Sequence, residues 1–378
     1  MRSLALVMSV AVVAGAAVRA QTPRTTSEPK AARAPVSTAV DKGARWLVSV
    51  QGGDGGWGQD GGAASSARPE ERLESSGNDV ANTAVAALAL LQAGRQYQPQ
   101  VERALAFVLH RVEASPTDGL AITDREGTQI QRKLGPCIDT FLSAMLLSQI
   151  DGRASTPALN ARVRKALQKT VAKIEKHQQS DGSWNIAGGW APVLGTSMAS
   201  RSLFEAQNKG VAVDAAVLKR AETYTVSALS ASTPPVARAA AAGRSAGGLV
   251  AGASAAPAEA AGVALYQSAQ ALEQLSRTEA DRVKNAREIR AIQGQLANAD
   301  FVGGFGSMGG EEFFSYLNIS DSMKRVGGEG WSKWHANITQ KILGLQNSDG
   351  TWAGHHCITG RVAMTSAAIL NLTVDRAR

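Results

Sequence analysis

Residues 355–357 read His-His-Cys, within "DGTWAGHHCITGR" (349–361), just after an Asp-Gly-x-Trp turn. The 378-residue chain holds only five histidines and two cysteines, so three of these scarce side chains stand together. The other thiol, Cys137, lies in "GPCIDT", two residues before Asp139. Thiolate, imidazole and carboxylate are the ligands that zinc takes, with one position open where the site is catalytic. Cys137, Asp139, His356 and Cys357 therefore form a candidate metal set, with His355 as a substitute. The same two thiols also suit a single disulfide in an oxidising compartment, or two free buried thiols, and spacing does not choose among these. A third polar group, Glu311 and Glu312, follows the glycine-rich "FVGGFGSMGG". Glu311 and Asp139 are candidate general acids or bases. Neighbours on a helix point about 100° apart, so at most one of the two glutamates is expected to face inward. The glycines before them also fit a degenerate turn with Phe305 in the place of tryptophan.

The elements that position these residues announce themselves as repeats. "QGGDGGW" (51–57), "QQSDGSW" (178–184) and "QNSDGTW" (346–352) share Gln-x-x-Asp-Gly-x-Trp. Asp-Gly supplies a tight turn with positive φ. The glutamine can bond exposed groups at a helix end, and the tryptophan offers a large surface for locking repeats together. Hydrophobic periodicity between the turns gives six helix pairs. The first helices begin near Thr38, Gln98, Asn160, Ala215, Arg282 and Gly330 and are amphipathic. The second helices, such as "DVANTAVAALALLQAG" and "RVAMTSAAILNLTVDRA", are apolar around most of their circumference and are expected to be buried by other helices. An outer and an inner ring of six make an all-α, single (α/α)6 toroid over residues 38–378, with a low-complexity insertion at 231–262.

These turns resemble the QW-type repeats of the prenyltransferase/squalene-cyclase superfamily, and the resemblance implies an α/α toroid. The superfamily includes terpene cyclases, protein prenyltransferases, thioester domains and non-catalytic members. The Asp-x-Asp-Asp acid motif of the terpene cyclases is missing from this sequence, as is the Gly-Cys-Gly-Glu-Gln of thioester domains. Protein prenyltransferases bind zinc through Asp-x-Cys and a distant His. Here the order is Cys-x-Asp, at Cys137 and Asp139, so that activity is not carried over.

In such a toroid all inner helices run the same way, and their N-termini gather at one mouth. That rim is expected to hold Asp79 and Asn82, Cys137 and Asp139, Thr196 and Ser197, Glu311 and Glu312, and His355 to Cys357 with Thr359. Asp79, Asp139, Thr196 and Glu311 can equally be ordinary caps or first-turn acids. The funnel wall below is expected to be apolar, with Phe141, Met145, Met198, Phe204, Phe313, Tyr316 and Met364. Phe141, Phe313, Tyr316 and Arg361 are the candidate ligand contacts, Arg361 for an anionic group or as a partner of Glu311.

Residues 1–20, "MRSLALVMSVAVVAGAAVRA", read as a signal peptide with a charged start, an apolar run and small residues before the cut; 21–37 read as a polar linker. The mature chain is therefore expected to be exported, periplasmic or extracellular, with no stable membrane span after signal removal. The net charge of +8 is scattered along helix faces without interleaved aromatics, which argues against nucleic acid. Three functions fit: a protein binding a hydrophobic, isoprenoid or lipid-like small molecule; a metal-dependent transferase or cyclase-like enzyme using zinc at the rim; and a glycan-processing enzyme. Aromatics make up only 5% of the chain, too few for the stacking platforms that sugars need, which weighs against the third.

Overall fold

A computed structural model describes residues 30–59, 77–184, 186, 192–232, 258–304 and 309–376. The expected signal peptide (1–20), residues 21–29 of the expected linker, residues 60–76, most of the 231–262 insertion and Phe305 lie outside the described residues. Among the described residues are six inner helices: α2 (Val80–Ala93), α5 (Ile138–Ile150), α7 (Pro192–Asn208), α9 (Ala258–Leu275), α13 (Gly310–Val326) and α15 (Arg361–Leu372). They pack in the closed order α2, α5, α7, α9, α13, α15 and back to α2. The outer layer comprises α1 (Lys30–Ser49), α3 (Gln98–Ala114), α6 (Pro157–Lys176), α8 (Ala215–Ser232), the pair α10 (Glu279–Lys284) and α11 (Ala286–Leu296), and α14 (Gly328–Gly344). The architecture is the (α/α)6 toroid that the repeats imply.

Three local features differ from the sequence reading. Helix α1 starts at Lys30, eight residues before Thr38, with Pro35 near enough to its start that little helical bonding is lost. The fifth outer element is broken, because Asn285 ends α10 and opens α11, and Asn298 caps a further turn, α12 (Ala299–Val302). A short helix, α4 (Gln129–Leu134), closed by a Thr128–Gln131 capping box, precedes α5.

The repeated turns are wired alike. Each tryptophan indole N–H donates to a carbonyl ten residues back on its outer helix: Trp57 to Leu47 at 2.8 Å, Trp184 to Ile174 at 2.7 Å, Trp352 to Ile342 at 2.8 Å. Each tryptophan amide donates to a threonine on the next inner helix, Thr83, Thr196 or Thr365. Each glutamine Nε2 bridges the glycine carbonyl of its own turn to a carbonyl of the next outer helix, Gln100, Val217 or Ala39. The motif is thus a clamp joining one helix pair to the next.

Glycine is required at its centre on two counts. Gly350 has φ 89°, and a Cβ there would sit 2.7 Å from Cβ of Lys42 on α1. Gly350→Ala is expected to cost about 2 kcal/mol, read as a lowered urea midpoint with an unchanged slope. An unchanged midpoint would show that the clamp yields freely.

Candidate functional site

The inner helices begin at one rim, as their shared direction requires. At α13 and α15 the approach to the rim becomes a clasp. Gly309 forms a parallel bridge with His356, and the Gly310 amide donates to the Ile358 carbonyl at 3.0 Å. A Cβ on Gly310 would lie 2.5 Å from Cβ of Ile358, so only glycine lets the segments meet. The clasp brings ligand atoms of Glu311, His356 and Cys357 within 4.8 Å of one another. Cys357 has φ 56°, the one non-glycine positive φ among the described residues. That conformation is unfavourable for a side-chain-bearing residue, and such strain gathers at functional sites.

Electrostatics set the state of the acids. Glu311 is fully buried; its Oε2 accepts from the Ile358 amide at 3.4 Å, and the Cys357 thiol hydrogen-bonds to it. Its Oε1 is buried with no hydrogen-bond partner among the described residues. Burial, with Glu312 alongside, pushes its carboxyl up to about 7. Glu312 accepts from the Gly309 amide at 2.9 Å and from the Tyr266 hydroxyl at 3.4 Å. Its Oε2 is 3.7 Å from Nε2 of His356. Both glutamates are buried: Glu311 meets the 356–358 segment, while Glu312 closes the helix start and holds His356.

A second polar group occupies the same rim at α2 and α5. Asp79 caps α2, accepting from the Asn82 amide at 2.8 Å. Asp139 is buried and accepts from the Ala81 amide at 3.1 Å and from Gln131 Nε2 at 2.7 Å. Its burial, with the charge of Asp79, pushes it up to about 7. Cys137 precedes α5, half-buried, its thiol pushed up to about 11 by burial and by Asp139.

The expected metal set is therefore divided. His356 and Cys357 come together with Glu311, whereas Cys137 and Asp139 lie outside that cluster, since α5 borders α2 and α7 rather than α13 or α15. His355 is exposed, whereas His356, bridged to Gly309, is half-buried. Neither thiol is in a disulfide. Arg361 meets Asp349 at 3.0 Å and lies 5.0 Å over the Trp46 ring, facing the outer layer. Tyr316 also turns outward, its hydroxyl donating to the Val302 carbonyl at 2.6 Å and its ring packing on Trp334. Phe141 and Phe313 are buried in the core. Thr196 is no cap, since α7 starts at Pro192; its hydroxyl receives the Trp184 amide.

Met145, Met198 and Met364 are buried in the core, and a charge network spans the inner helices α7, α9 and α13 beside them. Arg201 pairs with Glu205 and Asp321 and donates to Asn318 at 2.9 Å, and Arg277 pairs with Glu273 at 2.8 Å while covering Phe204. Sequence reading missed Gln129, which ties the last inner helix to α4 through the Thr359 amide (2.9 Å) and hydroxyl (3.0 Å). It also missed Tyr266. Neither stands in a motif; both are found only by folding the chain.

Comparison with known proteins follows the same lines. The family model of the squalene-hopene cyclase C-terminal domain matches residues 27–120. The fold is similar to that of the type II terpene cyclase MstE from Scytonema, solved in complex with its product merosterolic acid A. The TM-score is 0.52 and the identity 10%, covering 91% of this chain and 97% of that one. No curated protein sequence matches the chain. Among the described residues, no helix is long and apolar enough to cross a membrane.

Proposed function

We propose that this chain, a toroid of the prenyltransferase/squalene-cyclase type, binds a hydrophobic, isoprenoid or lipid-like molecule and carries a metal centre at the rim. The observation that carries the metal centre is the convergence of Glu311, His356 and Cys357 within 4.8 Å, with one Glu311 oxygen buried and unpartnered. Carboxylate, imidazole and thiolate are a zinc donor set, and three protein ligands leave a position for substrate or water. Bound there, zinc supplies Lewis acidity and lowers the pKa of a ligated oxygen. The chain's own residues do the positioning. Glu312 orients His356 from 3.7 Å, the Tyr266 hydroxyl supports Glu312, and the Ile358 amide steadies Glu311. Ligand preference for an apolar molecule is supported by the product-bound terpene cyclase of the same fold. The signal-like residues 1–20 support export of the mature protein.

A second reading needs no metal. Glu311 holds a proton up to about pH 7 and stands at the rim, as a general acid would. The two readings separate in one measurement. Full-length protein purified without chelator is expected to hold about one zinc per chain by elemental analysis, falling severalfold in both Cys357→Ser and Glu311→Gln. Cys137→Ser should leave the metal in place, because Cys137 is outside the cluster. Wild-type protein that neither retains zinc nor takes it up on titration would sink the metal centre and leave the acid reading.

A further inference from the structure

The broken fifth outer element leaves a gap in the outer layer. Helix α11 ends at Leu296 and the chain turns through Asn298 into α12, so α11 and α14 scarcely touch. Between them lies a groove of about 420 Å³, within the range of small-molecule sites. Its floor is Met323 of α13 with Trp334 and Ile338 of α14, all buried, and Leu296 and Val302 face them. The floor is apolar, and the Trp334 indole N–H is already used, donating to Ser320 at 2.9 Å.

Charge at the groove has one sign. No lining residue is acidic, while Lys333 and Lys341 both reach it. Lys333 is engaged by Glu329 at 2.7 Å. Lys341 is different: its ammonium lies 5.4 Å over the Tyr316 ring and makes no ion pair among the described residues. The acid whose charge acts on it is Glu312, and half-burial lowers its pKa. A partly desolvated cation at the edge of an apolar cleft invites an anion that brings its own hydrocarbon.

We propose that this groove binds a long-chain carboxylate, its alkyl chain on Met323, Trp334 and Ile338 and its carboxylate on Lys341. One available cation suits a monoanion, and a concave, buried floor suits a single chain rather than the flat contact of a protein partner. The site lies outside the inner ring and uses none of the three rim ligands, so it goes beyond the function proposed above.

Dodecanoate titrated into the full-length protein, followed by calorimetry, tests the assignment. Saturable binding at one site is expected, with dodecanol binding about tenfold or more weakly. Lys341→Met is expected to weaken dodecanoate about tenfold and to abolish the preference over dodecanol, with the thermal midpoint unchanged. Ala297→Trp, at an exposed lining position, fills the groove and should remove binding of both. No saturable binding, equal affinity for acid and alcohol, or unaltered binding in Ala297→Trp would each overturn the proposal. Zinc content, measured on the same samples, reports on the rim separately: it should not change in either groove variant.

Discussion

Replacing Trp352 with alanine is expected to cost the fold about 4 kcal/mol, the range for emptying a tryptophan-sized site in a packed core. Trp352 is fully buried where the last repeat meets the first: its indole bonds Ile342 on α14, and its amide bonds Thr365 on α15. A Cβ added to Gly43 of α1 would lie 3.0 Å from its ring, so three helices converge on it. Truncation leaves a cavity and removes one of the two hydrogen bonds that the Ile342 carbonyl accepts, the Leu345 amide keeping the other at 3.2 Å; the lost bond adds about 1 kcal/mol. Trp352→Phe keeps most of the apolar area and should lose much less. Urea unfolding of the three proteins checks this. A loss below about 1 kcal/mol for the alanine variant would show that the clamp does not hold the ring shut.

The second large effect is with pH. Asp139 and Glu311 each titrate near 7 in the folded protein, far above their values of 3.8 and 4.5 in an open chain. Between about pH 4 and 7 the native state therefore keeps protons that the unfolded chain has released. Stability must fall as pH rises through that window, and above it the full cost of burying two carboxylates remains. From pH 5 to pH 8 the apo protein is expected to lose stability on the order of a few kcal/mol. Carboxylates shifted the other way, such as Glu273 held low by Arg277 against its own burial, act only at lower pH. Asp139→Asn and Glu311→Gln should each flatten part of the slope. A flat profile in metal-free protein would show that these acids ionise at ordinary values. Zinc on Glu311 should remove that residue's share, since a ligated carboxylate has already lost its proton.

The fold was legible because its repeats are local. Gln346, Asp349, Gly350 and Trp352 stand within seven residues and make a turn as their chemistry suggests, whereas the reach of the tryptophan to Ile342 and Thr365 and of the glutamine to the next outer helix needed coordinates. The rim was legible only in part. A shared helix direction places Cys137, Asp139, Glu311 and Cys357 at one mouth, yet it does not say which helices are neighbours. Helix α5 stands across the ring from α13, so Asp139 answers to Asp79 on adjacent α2, while Cys357 of the segment before α15 answers to Glu311. Helix face was a further unknown. Tyr316 follows Glu312 by four residues and shares its face toward Trp334 and Val302, which periodicity alone does not distinguish from the face toward the centre. Arg361, in the first turn of α15, was turned outward by Asp349 and Trp46.

Closure of the ring has a consequence for how the chain must be made. Gln346 donates to the carbonyl of Ala39, 307 residues away, and α1 packs on α15. An open solenoid settles each repeat as it emerges, each one resting on the last. Here the first outer helix leaves the ribosome with one flank bare, and that flank is covered only when the final repeat has been translated. Contacts of such long range delay the last step of folding. At ribosomal speeds of roughly 5–20 residues per second, the unfinished arc waits tens of seconds with apolar surface open at both ends. Soluble yield therefore rests on keeping that arc from aggregating until its two ends join.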